Sequence, residues 1–125
     1  MKPILFQTTD WESVPVVERK GSDGVAFYRT KQFDGVRVRI VEYSPGYSAD
    51  HWCRVGHIVY CINGEMTSEL ADGRSFKVTE GMSYIVSDEM SWHRSITEKG
   101  VKLMIIDGDF LSTTKKHVIE NPWKL

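Results

Sequence analysis

Apolar and polar residues alternate with a period of two in several stretches of this chain, most plainly in Val36-Arg37-Val38-Arg39-Ile40. That period belongs to a strand with one buried face, because successive side chains leave a strand on opposite sides. Runs rich in β-branched and aromatic residues predict strands over 25–33, 36–43, 58–62, 65–70, 74–78, 83–86, 91–96 and 101–107. Four dipeptides punctuate them: Asp23-Gly24, Asp34-Gly35, Asn63-Gly64 and Asp72-Gly73. Each can supply the positive φ of a type I′ turn, so hairpins are expected there. Short strands with turns at this spacing predict an all-β fold, a sandwich or a barrel. No helical period runs through the middle of the chain. Near the start, Thr9-Asp10-Trp11-Glu12 reads as a capping box opening a turn of helix that Pro15 would stop.

Composition narrows the picture. With 125 residues, 41% hydrophobic and 26% charged, the chain suits one globular domain over 1–125. Residues 1–22 are expected as an N-terminal extension and 108–125 as a C-terminal tail packing on the barrel or on a partner. His117, beside Lys115 and Lys116 in that tail, is expected at the surface. The formal net charge is −1, and no basic run exceeds Lys115-Lys116. Binding phosphate backbones needs clustered positive charge, so a nucleic-acid partner is not expected. Neither a signal peptide nor a membrane span is visible, which makes a cytoplasmic location the expectation. A reducing compartment disfavours a Cys53–Cys61 disulfide. So does geometry, since eight extended residues span roughly 26 Å.

The candidate chemistry lies between Asp50 and Cys61 and again at His93. His51 and Cys53 are two apart and would share a face in an extended strand. Gly56 permits a bend that could re-aim the chain at His57. His93 lies on a strand far along in sequence. Such a layout suits a site inside a barrel, with His51, Cys53, His57 and His93 as candidate metal ligands. Imidazole and thiolate favour one divalent transition metal (Zn, Fe, Ni, Cu or Mn) over calcium or magnesium. The plainer alternative is a set of satisfied core residues, with cysteine acting as a small hydrophobe. Cys61 is expected to pack in the lumen, while Trp52, Tyr60 and Trp92 should face outward. Arg37 and Arg39 share a strand face that is either solvated or turned to an anionic substrate. Glu42, Tyr43, Tyr47, Glu69 and Tyr84 could each act as general acid or base, and no spacing selects one.

The same residues resemble a known family. Cupins carry a first motif of Gly, five residues, His-x-His, three or four residues, Glu, six residues, Gly. Here Gly46 and Gly64 bracket the equivalent stretch, with Cys53 in place of the second His and His57 in place of the Glu. The stretch from Gly81 to His93 is similar in length to the second cupin motif, with Ser87 and Glu89 near its Pro and Gly. The likeness covers roughly residues 36–107. Asp50-His51-Trp52-Cys53 also resembles, in content though not in order, the motif of a small cupin group labelled DHCW, which has no assigned activity. The resemblance implies a double-stranded β-helix (cupin, or jelly-roll) barrel, a single metal in its lumen and a homodimer. The function it suggests is a metal-dependent oxygenase or isomerase acting on a small organic molecule. A non-catalytic small-ligand or metal-sensing module and a closed structural zinc site are the alternatives.

Overall fold

The computed structural model describes residues 2–113. A 3₁₀ turn, Trp11–Ser13, precedes eight strands: β1 Val17–Lys20, β2 Val25–Phe33, β3 Val36–Tyr43, β4 His57–Leu70, β5 Ser75–Thr79, β6 Ser83–Val86, β7 His93–Ile96 and β8 Val101–Gly108. A second 3₁₀ turn, Asp109–Leu111, follows. Residues 114–125, with most of the expected tail and His117, lie outside the described residues. No helix among the described residues is long and apolar enough to cross a membrane.

All pairings are antiparallel, and β4 serves two sheets. Its first half pairs β8 on one side and β6 on the other, extending a sheet ordered β1-β2-β3-β8-β4-β6. Its second half lies between β5 and β7. Between Cys61 and Asn63 the register with β8 slips at a bulge, and Gly64 follows with φ +84°. The hairpin expected at Asn63-Gly64 is therefore absent: the positive φ serves a bend within one continuous strand. A side chain there would meet the Gly100 carbonyl oxygen at 2.4 Å. Asp34-Gly35 and Asp72-Gly73 do join consecutive strands, β2 to β3 and β4 to β5, with φ of +74° and +97° at the glycines.

The two sheets enclose a core of Val41, Val59, Cys61, Met66, Val78, Val101, Leu103 and Ile105. Strand β8 shows the alternation directly, with Val101, Leu103, Ile105 and Asp107 buried and their neighbours half-exposed. Cys61 packs in this core as expected. Two features near the N-terminus depart from the sequence reading. Asp10, not Thr9, caps the first turn, accepting from the Glu12 N–H and the Ser13 hydroxyl. Strand β1 falls inside the expected extension. Every one of its four residues is exposed, so no apolar alternation marks it, and backbone pairing with β2 alone defines it. Arg29 fastens the preceding turn by donating to the carbonyls of Trp11, Glu12 and Val14.

Candidate metal centre

Gly56 determines where His57 goes. Its bare Cα packs on the backbone at the end of β6, and an added Cβ would stand 2.5 Å from the Val86 carbonyl oxygen. Its N–H donates to the Asp88 carboxylate at 2.7 Å. The sequence expectation was a bend; what the glycine provides is this close approach. His57 then opens β4 with its ring buried on the inner face.

Cys53 and His93 are tied together by their own backbones. The Cys53 N–H donates to the His93 carbonyl at 2.7 Å, and the His93 N–H returns to the Cys53 carbonyl at 3.0 Å. His93 opens β7 opposite Leu70, the last residue of β4. A straight strand would hold the ends of β4 about 43 Å apart. Instead the His57 and His93 rings meet edge to face, with centroids at 5.1 Å. The bulged strand therefore coils around the lumen until its two ends face each other.

One ligand atom from each of Cys53, His57 and His93 lies within 4.8 Å of the others. The Cys53 sulfur is 3.4 Å from His57 Nε2. His93 Nδ1 is 2.8 Å from the Ser91 carbonyl, which can only accept, so Nδ1 carries the proton. Nε2 is then a bare lone pair, and it is buried without a hydrogen-bond partner. His57 Nδ1 is likewise buried and unpartnered. Buried polar atoms are normally satisfied. With His57 Nε2 against the thiol and His93 Nε2 buried without a partner, one sulfur and two imidazole nitrogens are available to a transition-metal ion, so this donor set fits it. Burial pushes the Cys53 thiol up, but the hydrogen bond and charge of His57 outweigh it and hold the thiol below its ordinary range.

His51 is placed differently. Residues 50–52 form no regular strand, so the shared face expected with Cys53 does not arise. The His51 side chain is 66% exposed at the mouth of the lumen, with Nδ1 2.7 Å from the Asp50 carboxylate. The structure thus assembles three of the four expected donors and leaves His51 on the rim.

A cavity of about 120 Å³ adjoins the triad, walled by residues including Tyr28, Arg39, Tyr43, Tyr84 and Leu103. A hollow of about 260 Å³, lined by residues including Ser68, Phe76 and Ile85, shares Tyr84 and His93 with it. Burial raises the Tyr43 and Tyr84 phenols far above their usual range, so both are hydrogen-bond donors. Tyr28 was not singled out by sequence, although the period-two pattern of β2 that buries Ala26 puts it on the inner face. Trp92 and Tyr60 are exposed, as their outward expectation requires, and Trp52 is half-buried beneath Arg94.

Several solved structures share this architecture. The polyketide cyclase RemF from Streptomyces resistomycificus is 18% identical, over 83% of this chain and 80% of that one, with a TM-score of 0.70. A cupin-2 domain protein from Shewanella frigidimarina is 14% identical over 66% and 79%, with a TM-score of 0.54. An iron(II) form of HppE is 12% identical over 83% and 60%, with a TM-score of 0.66. No protein-family model and no curated protein matches the chain. Identities this low speak to the fold alone, and that fold is cupin-like, an antiparallel jelly-roll barrel.

Proposed function

We propose that this protein is a metal-dependent cupin enzyme that acts on a small organic molecule in the lumen. Cys53, His57 and His93 would hold one divalent transition ion, and His51 would be a fourth donor that reaches in from the rim after leaving Asp50. The observation that carries the reading is the bare, buried Nε2 of His93, whose tautomer the Ser91 carbonyl sets. Four protein donors would close a tetrahedral ion, whereas a five- or six-coordinate one keeps positions open for a ligand. The bound ion would supply Lewis-acid polarisation of a substrate oxygen or, if redox-active, electron transfer.

The chain's own residues have separable parts. Cys53 would bind as an anion, and the hydrogen bond from His57 that lowers its pKa favours that form. The Ser91 carbonyl keeps the proton of His93 on the far nitrogen. Tyr84, whose ring centroid is 5.9 Å from that of His93, keeps its proton and can offer the O–H as a hydrogen bond to a developing oxyanion. The same barrel serves a polyketide cyclase and an iron(II) protein, so the fold is compatible with an enzymatic reading.

Metal analysis of protein made without a histidine tag tests the site. One equivalent per chain is expected, lost in His93→Ala and retained with weaker affinity in His51→Ala. Cobalt(II) loading should give a thiolate charge-transfer band that Cys53→Ser removes. Stoichiometric metal in a His57→Ala, His93→Ala double variant would sink the assignment. A saturated tetrahedral zinc with no exchangeable water would replace the enzyme by a structural site.

A homodimer belongs to the same reading. Its support is the outer face of the larger sheet, where the pairing lines up Val38, Ile106, Ile58 and Ile85 across four strands. Ile85 is 67% exposed. Light scattering should give twice the 14.4 kDa chain mass, and Ile85→Glu should halve it; a wild-type monomer at high micromolar concentration would refute the pair.

A further inference from the structure

We propose that Arg39 anchors a carboxylate, so that the lumen takes a small organic acid. This rests on the lumen being the substrate site and adds the class of substrate.

Arg37 and Arg39 are two apart on β3 and share its inner face. Arg37 is neutralised by a two-pronged pair with Asp107, Nε to Oδ1 at 3.0 Å and Nη2 to Oδ2 at 2.6 Å. Arg39 is not. Its Nε is sealed from solvent with no partner, and among the described residues its side chain has no hydrogen bond or ion pair. Its guanidinium lies over the Tyr28 ring, with the central carbon 5.7 Å from the centroid. The carboxylates near the lumen are otherwise engaged: Asp107 with Arg37, Glu69 with Arg94, Asp50 with His51. Arg19, exposed at the rim, adds positive charge.

A largely buried guanidinium without a counterion is costly, and buried charges are ordinarily paired. The fixed fork of arginine matches a carboxylate in two hydrogen bonds. The wall around Arg39 includes Tyr28, Tyr43, Tyr84 and Leu103, and Arg19 and Arg94 line the same cavity. Positive charge beside neutral phenols suits a small anion, with inorganic phosphate the competitor to be separated from a carboxylate. The cavity of about 120 Å³ is also small. A dry cavity of ~150 Å³ accepts the six carbons of benzene, so roughly five non-hydrogen atoms fit here. A carboxylate held at Arg39 leaves about two of those atoms to extend toward Cys53, His57 and His93, which line the same cavity.

The test is thermal unfolding of the full-length protein, with metal content measured in every sample. Sodium acetate, propionate, lactate and pyruvate are compared with chloride and inorganic phosphate at equal ionic strength. A saturable rise of several degrees is expected with at least one carboxylate. Arg39→Met should abolish the rise, keep the wild-type cobalt spectrum, and unfold without ligand at the same or higher urea concentration. Arg39→Lys should weaken binding at least tenfold, because the ammonium lacks the fork. His93→Ala should lose the metal yet keep the carboxylate shift, which separates this site from the metal reading. The proposal is overturned by no carboxylate shift in the wild type, or by a shift that survives in Arg39→Met. It is equally overturned by a shift with phosphate alone, or by one that disappears with the metal in His93→Ala. An Arg39→Met protein that fails to fold would assign Arg39 a packing role against Tyr28 instead.

Discussion

Cys53 and Cys61 are the same residue type eight positions apart, and their surroundings set them to different work. Cys61 is fully buried in the core, and burial pushes its thiol up. Cys53 opens onto the lumen, and His57 draws its thiol down. Alkylation of metal-free protein should therefore modify Cys53 first. A depressed pKa keeps the thiolate populated at lower pH, so the rate at Cys53 should level off at a lower pH than for a free thiol. Cys61 should react only as the protein unfolds. Peptide mapping after iodoacetamide at several pH values distinguishes them, and equal labelling would contradict both assignments. Sequence marked the four donor candidates because imidazole and thiol at short spacing carry their own signal. It could not tell His51 from Cys53, since what separates them is the backbone pairing of Cys53 with His93, forty residues on. For the same reason the arginines looked alike until Asp107 was seen to claim only Arg37.

At the scale of elements, the period of two placed most of the strands correctly, and β2, β3 and β6 have the expected bounds. The failure at Asn63-Gly64 has a physical origin. A type I′ turn and a bend after a bulge both require positive φ, so the dipeptide signals the angle without saying which way the chain continues. Only the neighbours decide. Glu89 shows the converse: it takes φ +64° near the place where the cupin motif carries glycine. Its carboxylate meets Arg54 and the Trp92 indole N–H, which holds a non-glycine residue in that conformation. The glycines of β4 and its following turn differ in a measurable way. Gly73→Ala places its Cβ in open space and should cost only about 1 kcal/mol, for the left-handed backbone. Gly64→Ala adds a collision with the Gly100 carbonyl and should cost at least about twice as much. Urea unfolding of the two variants measures the difference, and equal losses would mean the strands give way at little cost.

For the whole molecule, the coiling of β4 has a consequence in time. The two ends of the strand come together only when the bulge has formed and both sheets have accepted their half of it. The partner of the first half, β8, is synthesised last among the strands. Such long-range pairings form late because loop closure must precede their reward. Before that closure the nitrogens of His57 and His93 have no common centre to face. The barrel must therefore be complete before a metal can sit in it, and an ion would act as a latch on a finished fold rather than as its nucleus. Stopped-flow measurements should find the refolding rate unchanged by an equivalent of zinc, with all of its stabilisation appearing as slower unfolding. Refolding accelerated by zinc would mean that the donors gather earlier, in a partly formed barrel.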